Sequence, residues 1–594
     1  MTSQKSGGIR FRVDRMRIAR FSVCSLFLIA CCSRFCEASS ATEVKRVLEK
    51  HCYACHANGN NRGGVGNFED LKKIAASDLV VAKNLVESRL YQVLISGEMP
   101  RKEGNSNYQK PTSQEIDSIG RWIAEGTPTA EDIGNKPAGR PVFTLRDELE
   151  LILGELQRLE ADDRASTRFF SLRSLHNTPS RTLQEIDYAR AAFGKVLNSL
   201  HWKSRIIAPR RLGKDSLVFA IDTRDLDWPD TGWGNLLQQY PYGLKHDLLP
   251  GSSVINELAE QVYTMTGTDL PVIRIDWFIA RATRPPIYHE LLRIPETVVE
   301  LEKTLAVHCD SDIRQARSRR AGFTNSGISE QNRLIERFEG TFGYYWKSYD
   351  FKPDNAKSDL KKLPLGPAFS DHPFPHLSFV HDGGELIFRL PNGLQGYMLV
   401  DDVGKRINTG PTEIVADLER ISGELKIING LSCMACHKQG IITKKDVIRD
   451  ETTIGPEAQK FAKRLYPPQP EMDALYQKDS NQFRVAVLEA MKSTAMDQSM
   501  LARADGTSLE PVSSIARFYQ LQPLGVEEIA GELGIPVADL TSALKFNDRL
   551  QKLGLTVSGD PLKRVNWESL SGGQSLYQQA ALFLKLGVPK SITQ

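Results

Sequence analysis

The chain has 594 residues, with 76 Lys and Arg against 73 Asp and Glu, and 41% of it is hydrophobic. This is room for three or four domains with cores of their own, at the composition of ordinary globular proteins. Residues 1–38 hold seven basic and two acidic side chains, so the rest of the chain is slightly acidic at about −2, which argues against a nucleic-acid-binding surface.

The first 38 residues read as an export signal. Lys5, Arg10, Arg12, Arg15, Arg17 and Arg20 precede the apolar run from Phe21 to Cys32, which is too short to span a bilayer comfortably. Two endings fit this start. Leu28-Ile29-Ala30-Cys31 has the form of a lipobox and would leave a lipid anchor on Cys31, whereas the small residues from Ala38 to Ala41 offer simple cleavage. An uncleaved anchor is a third ending. No later segment reaches 18 consecutive apolar residues, so no transmembrane span is expected in the mature chain. The expected location is periplasmic or otherwise extracytoplasmic.

Residues 42–130 read as one compact unit. Val44, Val47 and Leu48 place an apolar stripe on a helix that runs into Cys52-Tyr53-Ala54-Cys55-His56. A Gly-rich loop follows from Asn58 to Gly64, then a helical stretch from Leu79 to Ile95 ending at Gly97-Glu98-Met99-Pro100. Thr112-Ser113-Gln114-Glu115 has the form of a capping box opening a last helix, with Ile116, Ile119 and Ile123 inward and Gly126 as its stop. Residues 131–144 read as a Gly/Pro-rich linker.

Residues 145–366 read as a mostly helical middle domain, with amphipathic segments from Leu145 to Leu159, Thr182 to Leu200 and Pro295 to Val307. Two short β-prone pieces interrupt it, Ser216 to Ile221 and Val272 to Ile275. Residues 367–510 open with period-two patterning. The runs from Glu385 to Leu390 and from Leu394 to Asp401, joined by Pro391-Asn392-Gly393, read as a hairpin of a β-meander. A second Cys-x-x-Cys-His follows, Cys433-Met434-Ala435-Cys436-His437, and then helices over Pro456 to Leu465, Glu471 to Tyr476 and Phe483 to Met491. Residues 511–594 read as a helical C-terminal region. The fold class expected is mainly α.

The two pentapeptides carry the chemistry. Cys-x-x-Cys-His is the spacing of c-type haem attachment: the thiols Cys52, Cys55, Cys433 and Cys436 would form thioethers to the porphyrin, and His56 and His437 would each take one axial position on iron. Two covalently bound haems c are therefore expected. Met99, held out in its Gly-x-Met-Pro turn, is the expected sixth ligand of the first haem, where a thioether raises the reduction potential. No such turn follows His437. Met472 downstream and His381 in the upstream His-rich segment are the ligands considered there, beside an open position of the kind peroxidases use. His51 is expected to be a surface or capping residue. Lys438, Lys444 and Lys445 could pair with propionates, and the aromatic run Tyr344, Tyr345, Trp346, Tyr349 and Phe351 reads as core.

Other readings of these residues are weaker. Zinc sites built from two Cys pairs bring them much closer in sequence, and each pair here has its own His. A redox Cys-x-x-Cys follows a strand and opens a helix, whereas Cys52 ends one. The spacing of Ala530, Gly534 and Leu540 suits an ordinary αα-corner as well as a DNA-binding one. Of the nine cysteines, four lie in or beside the signal and Cys309 stands alone, without the pairs a disulfide framework would show.

Residues 42–126 resemble the planctomycete-type class I cytochrome c domain in three features: the Cys-x-x-Cys-His, the Gly97-Glu98-Met99-Pro100 turn and the closing Trp122-Ile123-Ala124-Glu125-Gly126. The stretches from Arg284 to His289, Tyr345 to Phe351 and Leu390 to Tyr397 are similar to segments of large uncharacterised cytochromes from such bacteria. The resemblance implies a class I cytochrome c fold for the first unit, haem binding, and electron transfer with redox protein partners, with no particular substrate. The expected function is single-electron transfer by an exported dihaem cytochrome. A peroxidase-like oxidoreductase with the second haem open, and a haem-based sensor, are the alternatives.

Overall fold

The computed structural model describes residues 40–101, 109–128, 140–324, 331–353, 358–412, 414–417, 425–501, 507, 509–557 and 560–590. The export signal with Cys31 and most of the linker lie outside them. Among the described residues no helix is long and apolar enough to cross a membrane.

The first unit is held by two helices. Ser40–His51 and Ser113–Ala124 pack on each other, because Val44, Val47 and Leu48 on one and Ile119, Trp122 and Ile123 on the other recur at helical spacing and are fully buried. The capping box forms as expected. Thr112 Oγ1 accepts from the Glu115 backbone at 3.3 Å and the Glu115 carboxylate accepts from the Thr112 backbone at 2.8 Å. The helix expected from Leu79 onward is shorter, Arg89–Ile95. Ser88 is the reason: its hydroxyl donates to the carbonyls of Val81 and Asn84 and accepts from the Val81 amide, which keeps that stretch in turns.

The next layer is a four-stranded sheet of β1 (Thr167–Ser171), β2 (Arg210–Leu212), β3 (Val218–Asp222) and β5 (Val272–Arg274), in the order β2-β3-β1-β5, with β4 (Leu244–Lys245) apart from it. β1 runs antiparallel to β3 and parallel to β5. The helices expected around it are present as Leu145–Leu156, Leu183–Asn198 and Val298–Thr304.

A larger sheet follows. β6 (Arg319–Thr324), β7 (Asn332–Gly340), β8 (Gly343–Asp350), β9 (Gly383–Arg389), β10 (Gln395–Asp401) and β11 (Arg406–Ile407) form an antiparallel meander in chain order. The expected hairpin is the β9–β10 pair, closed by Gly393 at φ +93°. The strands β6, β7 and β8 correct the expectation of a mostly helical stretch over 145–366. Aromatic and β-branched residues there favour a pleated surface, and Gly343 at φ +120° makes the turn between β7 and β8. With 44% helix and 14% strand the chain is mixed, so the expectation of a mainly α fold is too simple.

Helix Gln469–Lys492 is continuous across the two segments expected separately. It lies along the large sheet: Asp479 accepts from Arg337 at 2.7 Å and from the Trp346 indole at 2.9 Å, and Tyr476 stacks on Trp346. The C-terminal region is helical as expected, from Pro511–Leu521 through Leu576–Phe583. It also carries the small hairpin of β12 (Leu570–Ser571) with β13 (Gln574–Ser575), and β14 (Val588–Pro589), which pairs with β4.

Candidate functional site

At the first motif, helix Ser40–His51 delivers Cys52 at its end, and the short helix Tyr53–His56 carries Cys55 and His56. Cys52 is 9% exposed, and burial pushes its thiol up to about 12, so it stays neutral. Cys55 and His56 are half-buried. The His56 ring lies 2.8 Å, at Nδ1, from the carbonyl oxygen of Val65. A carbonyl can only accept, so Nδ1 carries the proton and Nε2 keeps its lone pair for a metal. Phe68 packs against the ring with centroids 5.2 Å apart.

Met99 is half-buried in the turn after Arg89–Ile95, with its amide on the Val93 carbonyl at 3.1 Å. Its neighbour Glu98 is held from two sides by Arg89 and Arg517, each at 3.3 Å. His51 is not a surface residue. It is 6% exposed, with Nδ1 2.9 Å from the Gln109 carbonyl and Nε2 3.2 Å from Glu115.

The second motif sits on helix Leu431–Cys436, entered through Gly430 at φ +85°. A Cβ at Gly430 would come within 2.5 Å of the Thr283 carbonyl, so the start of this helix requires glycine. Cys433 is 1% exposed and burial carries its thiol well above the ordinary value. His437 is held at Nδ1 as His56 is, 3.1 Å from the carbonyl oxygen of Gly440, but its Nε2 faces a carboxylate, Glu385, in this structure. Gly440 has φ +104°, and its position against Ser480 leaves no space for a side chain.

Cys433, Cys436 and His437 line one side of a cleft. The other side is one face of the large sheet. Arg333 and Ile335 of β7, Trp346, Ser348 and Asp350 of β8, Glu385 and Ile387 of β9, and Leu399 of β10 all line it. The register puts them on a single face, since Arg333 pairs with Asp350, Ile335 with Ser348, Trp346 with Ile387 and Leu399 with Glu385. Lys347 and Lys444 also line the cleft, Lys444 over the Phe323 ring. Lys438 and Lys445 are exposed.

Glu385 is an acid in contact with the motif. Its Oε2 lies 3.4 Å from His437 Nε2. Burial acts to raise its carboxyl, but the His437 ring, Cys433 and Arg333 outweigh burial and hold it at about 2. Neighbouring charges are already matched: Arg333 meets Asp350 at 2.6 Å and Lys347 meets Glu302 at 2.9 Å.

The two upstream and downstream ligands considered for the second site lie elsewhere. His381 does not line this cleft; its ring packs edge-on against Tyr349 at 5.2 Å and its Nδ1 lies 3.2 Å from the Gly383 carbonyl. Met472, 1% exposed, belongs to the apolar core. Of the aromatic run, Trp346 alone lines the cleft, and Tyr344, Tyr345, Tyr349 and Phe351 are buried as expected. Cys309 is buried and its Sγ donates to Glu302 at 3.3 Å.

No family model, curated protein or solved structure matches this chain. The site therefore rests on its own residues. Sequence reading missed Glu385 and the sheet face around it. The available signal was Ile387, which shares a face with Glu385 and Arg389, opposite Leu386, Phe388 and Leu390; an apolar residue on both faces predicts a strand covered on both sides, with Glu385 under one of the covers. Among the described residues no group of three or more His, Cys, Asp or Glu is gathered around one point as a metal cage.

Both motifs suit a planar, metal-bearing, covalently held group. Each offers two thiols and one imidazole whose Nδ1 is taken by a backbone carbonyl. At the second, the cleft facing those groups has the apolar side chains Ile335, Trp346, Ile387, Leu399 and Ile441 to cover an apolar ring, and Lys444 to meet an acidic substituent.

Proposed function

We propose that the chain is an exported dihaem c-type cytochrome that passes single electrons between protein partners. The observation that supports this most is the shared geometry of the two motifs, with His56 and His437 each oriented through Nδ1 by a backbone carbonyl. That hydrogen bond sets the tautomer and the aim of the ring, as it does for histidines that serve metals. Bound haem supplies one-electron chemistry, with a potential tuned by axial ligand, burial and nearby charge.

The chain's own residues do the rest. Cys52, Cys55, Cys433 and Cys436 would tether the group, and His56 and His437 would each offer it an imidazole nitrogen. Met99 is the sixth ligand proposed for the first haem, placed in a turn whose Glu98 is clamped by two arginines. The sheet face across from Cys433 excludes water with Ile335, Ile387 and Leu399. Export, with cleavage or a lipid anchor at Cys31, is part of the proposal because this attachment chemistry takes place outside the cytoplasm.

A second reading, a peroxidase-like oxidoreductase, gains from one observation: neither His381 nor Met472 lines the cleft of His437. A haem without a strong sixth ligand there could take a small exogenous molecule.

Purification from a host competent in c-type maturation tests the proposal. A pyridine haemochrome assay with intact-mass measurement should count two haems per chain, and Cys436→Ala should leave one. A colourless chain with the four motif thiols free would refute it.

A further inference from the structure

We propose that Glu385 is the protein residue on the sixth side of the second iron, in place of His381 or Met472, and that its carboxylate ligates the ferric state. This rests on the dihaem reading and specifies one of its two centres.

The argument starts from the partners of the carboxylate. Glu385 stands on β9 with its side chain only 15% exposed and its Oε2 3.4 Å from His437 Nε2. Nε2 is the nitrogen left for iron once Nδ1 is held by the Gly440 carbonyl. The other group that draws on Glu385 at the motif is Cys433, which the thioether would also engage. Attachment at the motif thus removes both of its neighbours there at once.

The carboxyl group left in that position needs a new partner for its oxygens, because a buried polar atom without one is costly. The cations of the sheet face are already engaged: Arg333 bridges Asp350 through two contacts, at 2.6 and 2.8 Å, and Lys347 is held by Glu302. Ferric iron is the cation that attachment itself brings. The strand geometry favours the encounter, since Glu385 projects from the same face as Ile387 and Leu399, the face turned toward the motif helix.

The chemistry of this ligand has consequences. A carboxylate is a hard oxygen donor and favours ferric over ferrous iron. The second centre then has the lower potential of the two, and its sixth position weakens on reduction, so that the ferrous iron accepts carbon monoxide. The first centre, with a thioether proposed opposite His56, does not. Electrons would reside on the first haem and reach the second only from a strong donor.

The experiment uses the mature full-length protein and three measurements. Intact mass and the haemochrome assay count haems; near-infrared magnetic circular dichroism identifies the axial ligands of each ferric haem; redox titration gives two potentials. Wild-type protein should show one His/Met haem and one haem with an oxygen donor, and one carbon monoxide per chain bound after dithionite reduction. Glu385→Gln should raise the lower potential and leave the higher one in place. Glu385→Met should give a second His/Met signature and abolish carbon monoxide binding.

A wild-type spectrum with His/His or His/Met ligation at both haems overturns the proposal without any variant. So does an unchanged lower potential in Glu385→Gln with two haems attached. A haem count below two in the wild type overturns the dihaem reading, and this assignment with it, and the count separates that failure from the other two.

Discussion

Arg517 Nη2 lies 3.3 Å from Glu98 Oε1, with 4% and 16% of the two side chains exposed. Glu98 is the residue before Met99, and Arg517 belongs to helix Pro511–Leu521, which also packs against the second-motif helix Leu431–Cys436. One C-terminal helix thus touches both motif-bearing regions. Tyr91 of the first unit meets Phe518 of the same helix at 6.1 Å, and the Tyr188 hydroxyl donates to Glu87 at 2.7 Å. The first unit is docked against the rest of the chain by polar contacts around an aromatic pair.

Arg517→Met removes the cation and keeps most of the packing of its stem. Glu98 retains Arg89, so the expected loss of stability is about 1–3 kcal/mol, the scale of a hydrogen bond to a charged group. Urea unfolding measures it. A midpoint equal to wild type would show that the pair contributes nothing to docking.

Met99→Ala should lower the potential of the first haem and leave the second at its wild-type value, because the thioether is what favours ferrous iron. Redox titration followed at both haems reads this directly. If the higher potential does not move, Met99 is not the ligand.

Gly440→Ala should displace the carbonyl that orients His437. The added Cβ would fall 2.7 Å from Ser480 Cα at a residue with φ +104°, so the loop must shift and the ring loses its hydrogen bond. The expected cost is about 1–3 kcal/mol from backbone strain and overpacking. Haem attachment at Cys433 and Cys436 should fall while attachment at Cys52 and Cys55 persists. Equal yields at both sites would contradict the role given to this carbonyl.

Acid sensitivity should come in part from Glu532. Its carboxylate sits between Arg274 and Arg564 at 2.9 and 2.6 Å. Burial acts to raise its pKa, but the two guanidiniums outweigh burial and hold it at about 2, below the ordinary 4.5. Because the folded value is the lower one, this stabilisation is complete above about pH 4.5 and is lost as pH falls toward about 2. It amounts to about 3 kcal/mol at most. Glu532→Gln should be less stable near neutral pH, with two arginines left short of charge. It should also show a flatter dependence of Tm on pH over the acid range. Parallel Tm profiles for the two proteins would exclude Glu532 as a source.

Much of the first unit was legible in order of residues. Val44, Val47 and Leu48, the Thr112 to Glu115 capping box and the Gly126 stop depend on neighbours three or four positions away, and each formed as expected. The β9–β10 hairpin was legible for the same reason, since its turn and its alternation are local. The helix expected over Leu79 to Ile95 was not, because Ser88 chose backbone carbonyls at Val81 and Asn84 instead. The strands β6, β7 and β8 pair with one another through short connections and only β8 meets β9; they were missed because Arg320, Arg333, Glu336 and Arg337 are buried in them and break the alternation of apolar and polar residues that marks a strand. No local pattern announces that Trp346 will face Ile387.

By itself the sequence determined the attachment chemistry proposed here: two Cys-x-x-Cys-His motifs, each on or beside a short helix, with Met99 in a turn after the first. Those are properties of residue identity and spacing within a turn or two of backbone. Tertiary structure alone decided what faces His437. The meander brings Arg333, Trp346, Ile387 and Leu399 into one surface, and pleating sends Glu385 to the same side as Ile335, Trp346 and Leu399. A one-residue slip in β9 would turn Glu385 away from the cleft, so the register of the sheet decides which acid meets the second motif.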